Sequence, residues 1–370
     1  MRSEVPINCN PMMKWSAFLL FAASVFLPHS QWAKTDEKLN VIQIICGDLN
    51  DYVEGFDVHP NAITPNLVRL AKRGVRFTQA HCNIPICGSD TLLCAEQKAK
   101  SKWSYLDNGR VRIGVDRSRG ACIGFFGESQ SKRNLLNVYD AGRYLQQSYY
   151  GDKDGTNWNG KPWRYNPIQG GNWQNKPSRL DYFQLKAGDF QIESTTTPHH
   201  WAANRLCEDM VMKQKIRLDG HVAILDFNMK YDGDDHQEAR HQEMPALFVD
   251  GALKRFFYWK DDKLVEGAPR ILGENGKAGK KGLGTGRSSK AWFAYLDEHG
   301  KGIGIYTPGT PDFTCYRAAG NGSTGPEGSA CSYVAPIRTF TLKKGLTLEY
   351  RVHLTLGTLQ EIQSRFETLD

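Results

Sequence analysis

The sequence predicts a mainly β chain: a large antiparallel β-sandwich preceded by a short α/β segment. Three observations predict it. From about residue 102 onward, apolar and polar residues alternate in short runs, the period of half-buried strands. Turn residues separate the runs, and Gly is abundant, with 36 in 370 residues. Helical spacing is confined to 64–74 near the front and 359–366 at the end.

The length suits two units. A hydrophobic share of 40% and a charged share of 24% describe a globular chain and exclude a disordered one. The net charge of +7 is compatible with an acidic partner such as an anionic polysaccharide and does not by itself specify one. At the front, Lys14 precedes an apolar run over 15–27, followed by Pro28 and a small residue, Ala33. The run is too short to span a bilayer, so residues 1–33 read as a signal peptide, with Gln31 an imperfect residue for the cleavage site. A secreted or periplasmic protein follows, with no membrane span after signal removal.

Of nine cysteines, Cys9 would leave with the signal, and the remainder is even in number. Cys315 and Cys331 flank a Gly/Ser-rich loop and are the pair expected to bridge; two buried thiols are the alternative. No C-x-x-C occurs, which argues against a structural zinc site.

Residues 34–94 begin as an α/β unit. A β-branched run at 39–45 reads as a buried strand leading into Cys46-Gly47-Asp48. Thr64 suits an N-cap, Pro65 the first helical position, and Leu67, Leu70 and Ala71 fall at helical spacing before Gly74. The segments N-V-I-Q-I-I-C-G-D-L-N-D (40–51) and H-P-N-A-I-T-P-N-L-V-R-L-A-K-R-G-V-R-F-T-Q-A-H-C-N-I-P-I-C-G (59–88) resemble the amino-terminal part of the sulfatase family, most of all its iduronate-2-sulfatase-like members. The resemblance implies two Asp that bind calcium and a Cys, in C-x-P-S-R, converted to a formylglycine nucleophile. Asp48 matches the second metal ligand, with Gly47 in place of the first. Cys87 matches the nucleophile, but Gly88-Ser89-Asp90 follows it, without the Pro or the Arg. The segment is therefore not expected to be competent as a sulfatase alone.

Residues 102–370 carry the alternation, with strands expected at 110–116, 180–185, 211–218, 221–229, 246–249, 291–296, 302–306 and 346–356. Asn108-Gly109 and Asp219-Gly220 have hairpin-turn chemistry. Two stretches break the pattern. The first, 139–150, contains Arg143, Tyr149 and Tyr150 and runs into a Gly/Asn-rich loop with Trp158, Trp163, Tyr165 and Trp173. Such aromatics either stack on sugar rings or plug a local mini-core. The second, 232–245, gathers His236, Glu238, Arg240 and His241. If it is a strand, His236, Glu238, Arg240 and Gln242 share one face, and Glu243 lies on the other with His241. A His can act as base, a Tyr as acid, and an Arg can neutralise a carboxylate or sulfate. The alternative is a solvated acidic turn. Asp232, Asp234 and Asp235 could hold calcium, although the EF-hand spacing is absent. The Gly/Lys-rich stretch 273–290 lacks G-x-x-x-x-G-K-[ST] and reads as a mobile basic loop, so neither nucleotide nor nucleic acid is an expected partner.

The aromatic loops on a large sandwich loosely resemble galactose-mutarotase-like folds of carbohydrate-active proteins. The function expected is binding or cleavage of an acidic, possibly sulfated, polysaccharide. The alternatives are a calcium-dependent sulfatase using Cys87 and a non-catalytic surface protein.

Overall fold

The structure is a computed structural model that describes residues 65–73, 102–186, 190–273 and 279–369. The chain divides into two compact units, Met1–Ser101 and Lys102–Asp370. In the first, the helix expected from Thr64 to Gly74 is present as Pro65–Ala71. The expected signal segment, the strands on either side of the helix, Asp48 and Cys87 lie outside the described residues.

The second unit is a sandwich of two sheets. Across the first sheet the strands run Trp103–Asp107, Val111–Asp116, Cys122–Glu128, Leu145–Ser148, Arg240–Asp250, Cys331–Phe340, Asp312–Ala318 and Ile271–Leu272. Across the second they run Lys263–Gly267, Arg255–Lys260, Trp292–Leu296, Lys301–Tyr306, Thr347–Thr358, Val222–Tyr231, Met210–Asp219, Gln191–Thr197 and Arg179–Lys186. The pairings are antiparallel except that of Ile271–Leu272 with Asp312–Ala318. The mainly β sandwich expected from the alternation is thus the fold. Among the described residues no helix is long and apolar enough to cross a membrane.

Alternation places one side chain in two from each sheet in the shared interior. Ile113, Val115, Leu145, Leu247, Val249 and Val334 meet Ile216, Leu225, Phe227, Ile303, Val352 and Leu354 there. Each such burial is worth about 1.5–3 kcal/mol, which is why register, once set, is held strongly. Phe256, Phe293 and Phe313 form an aromatic centre, with Phe313 at 5.5 Å from Phe256 and 4.9 Å from Phe293.

The two turns expected from sequence are hairpins, and they touch. Gly109 and Gly220 both adopt positive φ, the conformation for which the turn needs glycine. Asn108 Nδ2 donates to the Gly220 carbonyl at 2.8 Å, joining a hairpin of one sheet to a hairpin of the other. At the C-terminus, Leu359–Glu367 is the expected helix, opened by a reciprocal capping box between Thr358 and Glu361. It lays Ile362 and Phe366 on Trp292 and Tyr306. Gly304 admits that contact, since a Cβ there would sit 2.4 Å from Ile362 Cγ2.

Two expectations are corrected. Cys315 and Cys331 are buried thiols, not a disulfide. The ladder explains it: Cys315 pairs with Val334 and Cys331 with Ala318, an odd offset that sends the two side chains to opposite faces of the sheet. The stretch 273–290 is not wholly a mobile loop either. Thr285–Arg287 is a strand against Asp312–Ala318, and Lys280 exchanges backbone hydrogen bonds with Ile271 at 2.9 and 3.0 Å; residues 274–278 lie outside the described residues.

Phe256→Ala is expected to lower unfolding free energy by about 3–5 kcal/mol, through lost burial and the cavity left among three rings. Chemical denaturation of Lys102–Asp370 and of the full chain checks it, and a loss below about 1 kcal/mol would contradict this view of the core.

Candidate functional site

The site is built on the outward face of the first sheet, where the Arg240–Asp250 strand lies between Leu145–Ser148 and Cys331–Phe340. Toward its C-terminal end this strand sends Leu247 and Val249 into the interior and Phe248 outward. Phe248 pairs with Tyr333, and Tyr333 with Tyr316, so three rings share the outer face. Their centroids are 4.7 Å apart for Phe248–Tyr333 and 4.4 Å for the stacked Tyr316–Tyr333 pair. Phe248 and Tyr316 are half-buried and present ring surface outward.

Next to them lies Glu243. The ladder shifts register between Glu243 and Leu247, and Glu243 stands opposite Ser148 on one side and Ile337 on the other. Its carboxylate accepts a hydrogen bond from the Tyr333 hydroxyl. The Tyr150 and Ser148 hydroxyls face the same carboxylate. Ser148 is 2% exposed, and its Oγ makes no hydrogen bond of ordinary geometry, although it lies close enough to weigh on the protonation of both neighbours. Burial raises the Glu243 pKa above the ordinary carboxylate range, while the surrounding hydroxyls, Tyr333 first, pull it back. Burial, then the Glu243 charge, pushes the Tyr150 phenol well up, and the Tyr333 phenol is raised in the same way. The result is a carboxyl held toward its protonated form among phenols that keep theirs. That is an acid–base cluster, with an unsatisfied hydroxyl beside it.

The other candidate residues divide around this cluster. Tyr150 belongs to it. Tyr149, its chain neighbour, points inward, is fully buried and donates to Gln147 Oε1 at 2.9 Å. Arg143 flanks the rings: it donates to Asn137 Oδ1 at 3.1 Å and to the Ser329 carbonyl at 2.9 Å, lies over the Tyr139 ring, and bears electrostatically on Tyr316. His241 shares the outer face with Glu243, two residues along, a separation of about 6.6–6.8 Å. It is exposed, with Nδ1 2.7 Å from Thr339 Oγ1.

His236 is elsewhere. Strand pairing begins only at Arg240, so residues 232–239 have no strand faces for it to share. The cause is Asp152, whose carboxylate accepts from the Gln237 and Glu238 backbone amides at 2.7 and 2.8 Å. His236 Nδ1 accepts from the Asp152 amide at 3.0 Å, and the ring lies against Gly151, where a Cβ would be 2.4 Å from it. Its ring also packs on Tyr165 at 5.0 Å and Tyr231 at 5.7 Å. Glu238 pairs with Arg240.

The tryptophan loop forms the mini-core of the two alternatives. Trp158 meets Trp163 at 5.0 Å and Trp201 at 5.7 Å, and Trp163 Nε1 donates to Asn166 Oδ1 at 3.2 Å. Tyr165 is buried and donates to Asp209 Oδ1 at 2.6 Å. Beside it, buried His200 bonds Asp154 through Nε2 at 2.8 Å. Burial holds the His200 pKa below that of an ordinary imidazole, and the Asp154 charge only partly offsets it. Of the four aromatics singled out, Trp173, at 41% exposure, offers an open ring.

The calcium expectation does not fit Asp232, Asp234 and Asp235. Asp235 is taken by the Lys344 amide and the Lys343 ammonium, and no three His, Cys, Asp or Glu side chains converge among the described residues.

Glu243, Ser148, Tyr316 and Tyr333 were not singled out by sequence. One signal was available: Glu243 lies two residues from His241 in the charged run, and so on the same face if the run is a strand. The tyrosines arrive from two further strands, some seventy and ninety residues away, which alternation alone cannot bring together.

No family model matches the sequence. A sulfatase of Formosa agariphila is 45% identical over 58 residues, 16% of this chain and 11% of that protein, so the match spans about a tenth of the relative's length. Among solved structures, a galactose mutarotase related enzyme from Lactobacillus acidophilus aligns over 69% of this chain and 97% of its own, at 10% identity and a TM-score of 0.42. A galactose mutarotase-like protein from Lactobacillus casei aligns over 69% and 99%, at 10% identity and a TM-score of 0.41. At that distance the sandwich is defined by its own strand pairing.

Glu243 also sets a pH dependence. With a folded-state pKa above the ordinary 4.5, the folded chain keeps a proton that the unfolded chain has released. Ionising it costs stability, and the loss grows as pH rises through that window. Glu243→Gln removes the titration. The Tm of E243Q minus that of the unsubstituted protein is expected to increase from pH 4 to pH 8, and a difference flat in pH would contradict it.

Proposed function

We propose that the Lys102–Asp370 sandwich of an exported protein binds or cleaves an acidic polysaccharide on the outward face of its first sheet. The observation that carries this reading is the Glu243 carboxyl, ringed by Tyr333, Tyr150 and Ser148 next to the half-exposed rings of Phe248 and Tyr316. An aromatic face suits the C–H face of a sugar ring, and the carboxyl–phenol cluster beside it can exchange a proton with a bound saccharide. In cleavage, the bond from a sugar carbon to the bridging oxygen breaks, and that oxygen must gain a proton. Glu243 in its raised-pKa protonated form, or Tyr150, is placed to supply it. Exposed His241, on the same face, is the base for the proton or water on the other side of the reaction. His236, enclosed by Gly151, Tyr165 and Tyr231, is assigned the role of holding the loop.

The second reading, a sulfatase with formylglycine at Cys87 and calcium at Asp48, is favoured by the 45% identity to a sulfatase over 58 residues. It requires Cys87 to be converted, which intact-mass analysis of the exported protein reads directly; an unmodified thiol ends it.

The full chain and Lys102–Asp370 are to be incubated with uronic and sulfated polysaccharides, scoring new chain ends and released sulfate. Chain cleavage is expected from both, falling about a hundredfold or more in E243Q and H241A. Cleavage unchanged in both variants contradicts the assignment. Binding without turnover selects the non-catalytic form, and sulfate release by the longer chain alone selects the sulfatase.

A further inference from the structure

The rings of Phe248, Tyr316 and Tyr333 lie toward one end of the first sheet, each two residues from a strand terminus. Two loops meet at that end. One, 319–330, joins the two strands that carry the tyrosines. The other, 137–144, is tied to Phe248 at both of its ends. The Asn137 amide donates to the Phe248 carbonyl, and the Phe248 amide to the Tyr144 carbonyl, each at 3.0 Å. The loops are also joined to each other: the Val138 amide donates to the Pro326 carbonyl at 2.7 Å, and Asn137 Nδ2 to the Gly328 carbonyl at 2.8 Å. Tyr139, whose amide donates to Asn137 Oδ1 at 3.2 Å, is thereby held at the end of the sheet where the three rings lie.

Tyr139 is 53% exposed, more than any other large apolar side chain among the described residues. Arg143 lies over its ring at 4.8 Å. That guanidinium is itself fastened, donating to Asn137 Oδ1 at 3.1 Å and to the Ser329 carbonyl at 2.9 Å, with the Asp140 carboxylate 3.4 Å from its Nε. A cation over one face of so exposed a ring leaves the other face turned to solvent. The ring adds little to the burial that holds the fold, and the bonds that fix the loop come from its backbone, Asn137 and Arg143. What the arrangement provides is a pre-oriented aromatic face, the surface on which the C–H face of a sugar packs.

We infer that Tyr139 is a second stacking subsite of the glycan site, beyond the Phe248 and Tyr316 rings along the chain, and that the site selects a polysaccharide chain over a disaccharide. Arg143 is its positioning residue. Two separate platforms engage one long chain, and the first contact raises the effective concentration of sugar at the second. The inference rests on the outward face being the glycan site.

The experiment is calorimetric binding of di- and hexasaccharides of galacturonate and of sulfated galactan to the full chain, Y139A and Y139F. The unsubstituted protein is expected to bind the hexasaccharide of at least one series more tightly than its disaccharide. Y139A is expected to weaken that hexasaccharide about fivefold or more and so to narrow the preference for length, whereas Y139F, which keeps the ring, retains it. Equal affinity of the unsubstituted protein for both lengths overturns the second subsite alone. So does a Y139A that leaves hexasaccharide binding intact or weakens both lengths equally. Binding of none of the sugars by the unsubstituted protein overturns the glycan reading and the subsite with it.

Discussion

The pairing of Arg240–Asp250 with its two neighbours is the constraint on which the site depends. This strand joins Leu145–Ser148 to Cys331–Phe340 and lies in the middle of the first sheet. Its interior residues, Leu247 and Val249, are locked by the hydrophobic core, so its outer residues have no freedom to exchange faces. The register shift after Glu243 then places a carboxyl on the outside at a level where Tyr333 and Ser148 flank it. A core that fixes one face of a strand fixes the chemistry on the other.

That coupling explains why a costly group persists there. A carboxyl whose pKa is driven up by burial opposes folding near neutral pH, and an unsatisfied Ser148 hydroxyl adds to the cost. The interior of the sandwich offsets both, because its burial is extensive and continuous from sheet to sheet. Costs of this kind, concentrated on an open face while the opposite face is closely packed, are what motivates the proposed site.

Much of the fold was legible in the sequence because period-two alternation is a local signal. The hairpin at Asp219-Gly220, the closing helix and the strands around them follow from residues within a few positions of one another. The candidate site was less so. Tyr150 and Arg143 were found because they interrupt a pattern, yet Tyr149 and Tyr150 could not be told apart without knowing which face was interior. Cys315 and Cys331 suggested a bridge through a shared loop, but the ladder between them turns on parity, which depends on pairing and not on spacing. The run 232–239 carried alternation that does not become strand, because Asp152, some eighty residues away, caps two of its amides. Each failure has the same source: a partner distant in sequence decided the outcome.

His236 against Gly151 illustrates a broader consequence. The imidazole occupies the space a side chain at Gly151 would need, receives the Asp152 amide, and rests on two tyrosines. The two residues are complementary halves of one joint, and each is readable only through the other. In a protein of this kind, a histidine that cannot be replaced marks where loops are fastened together as readily as where bonds are broken.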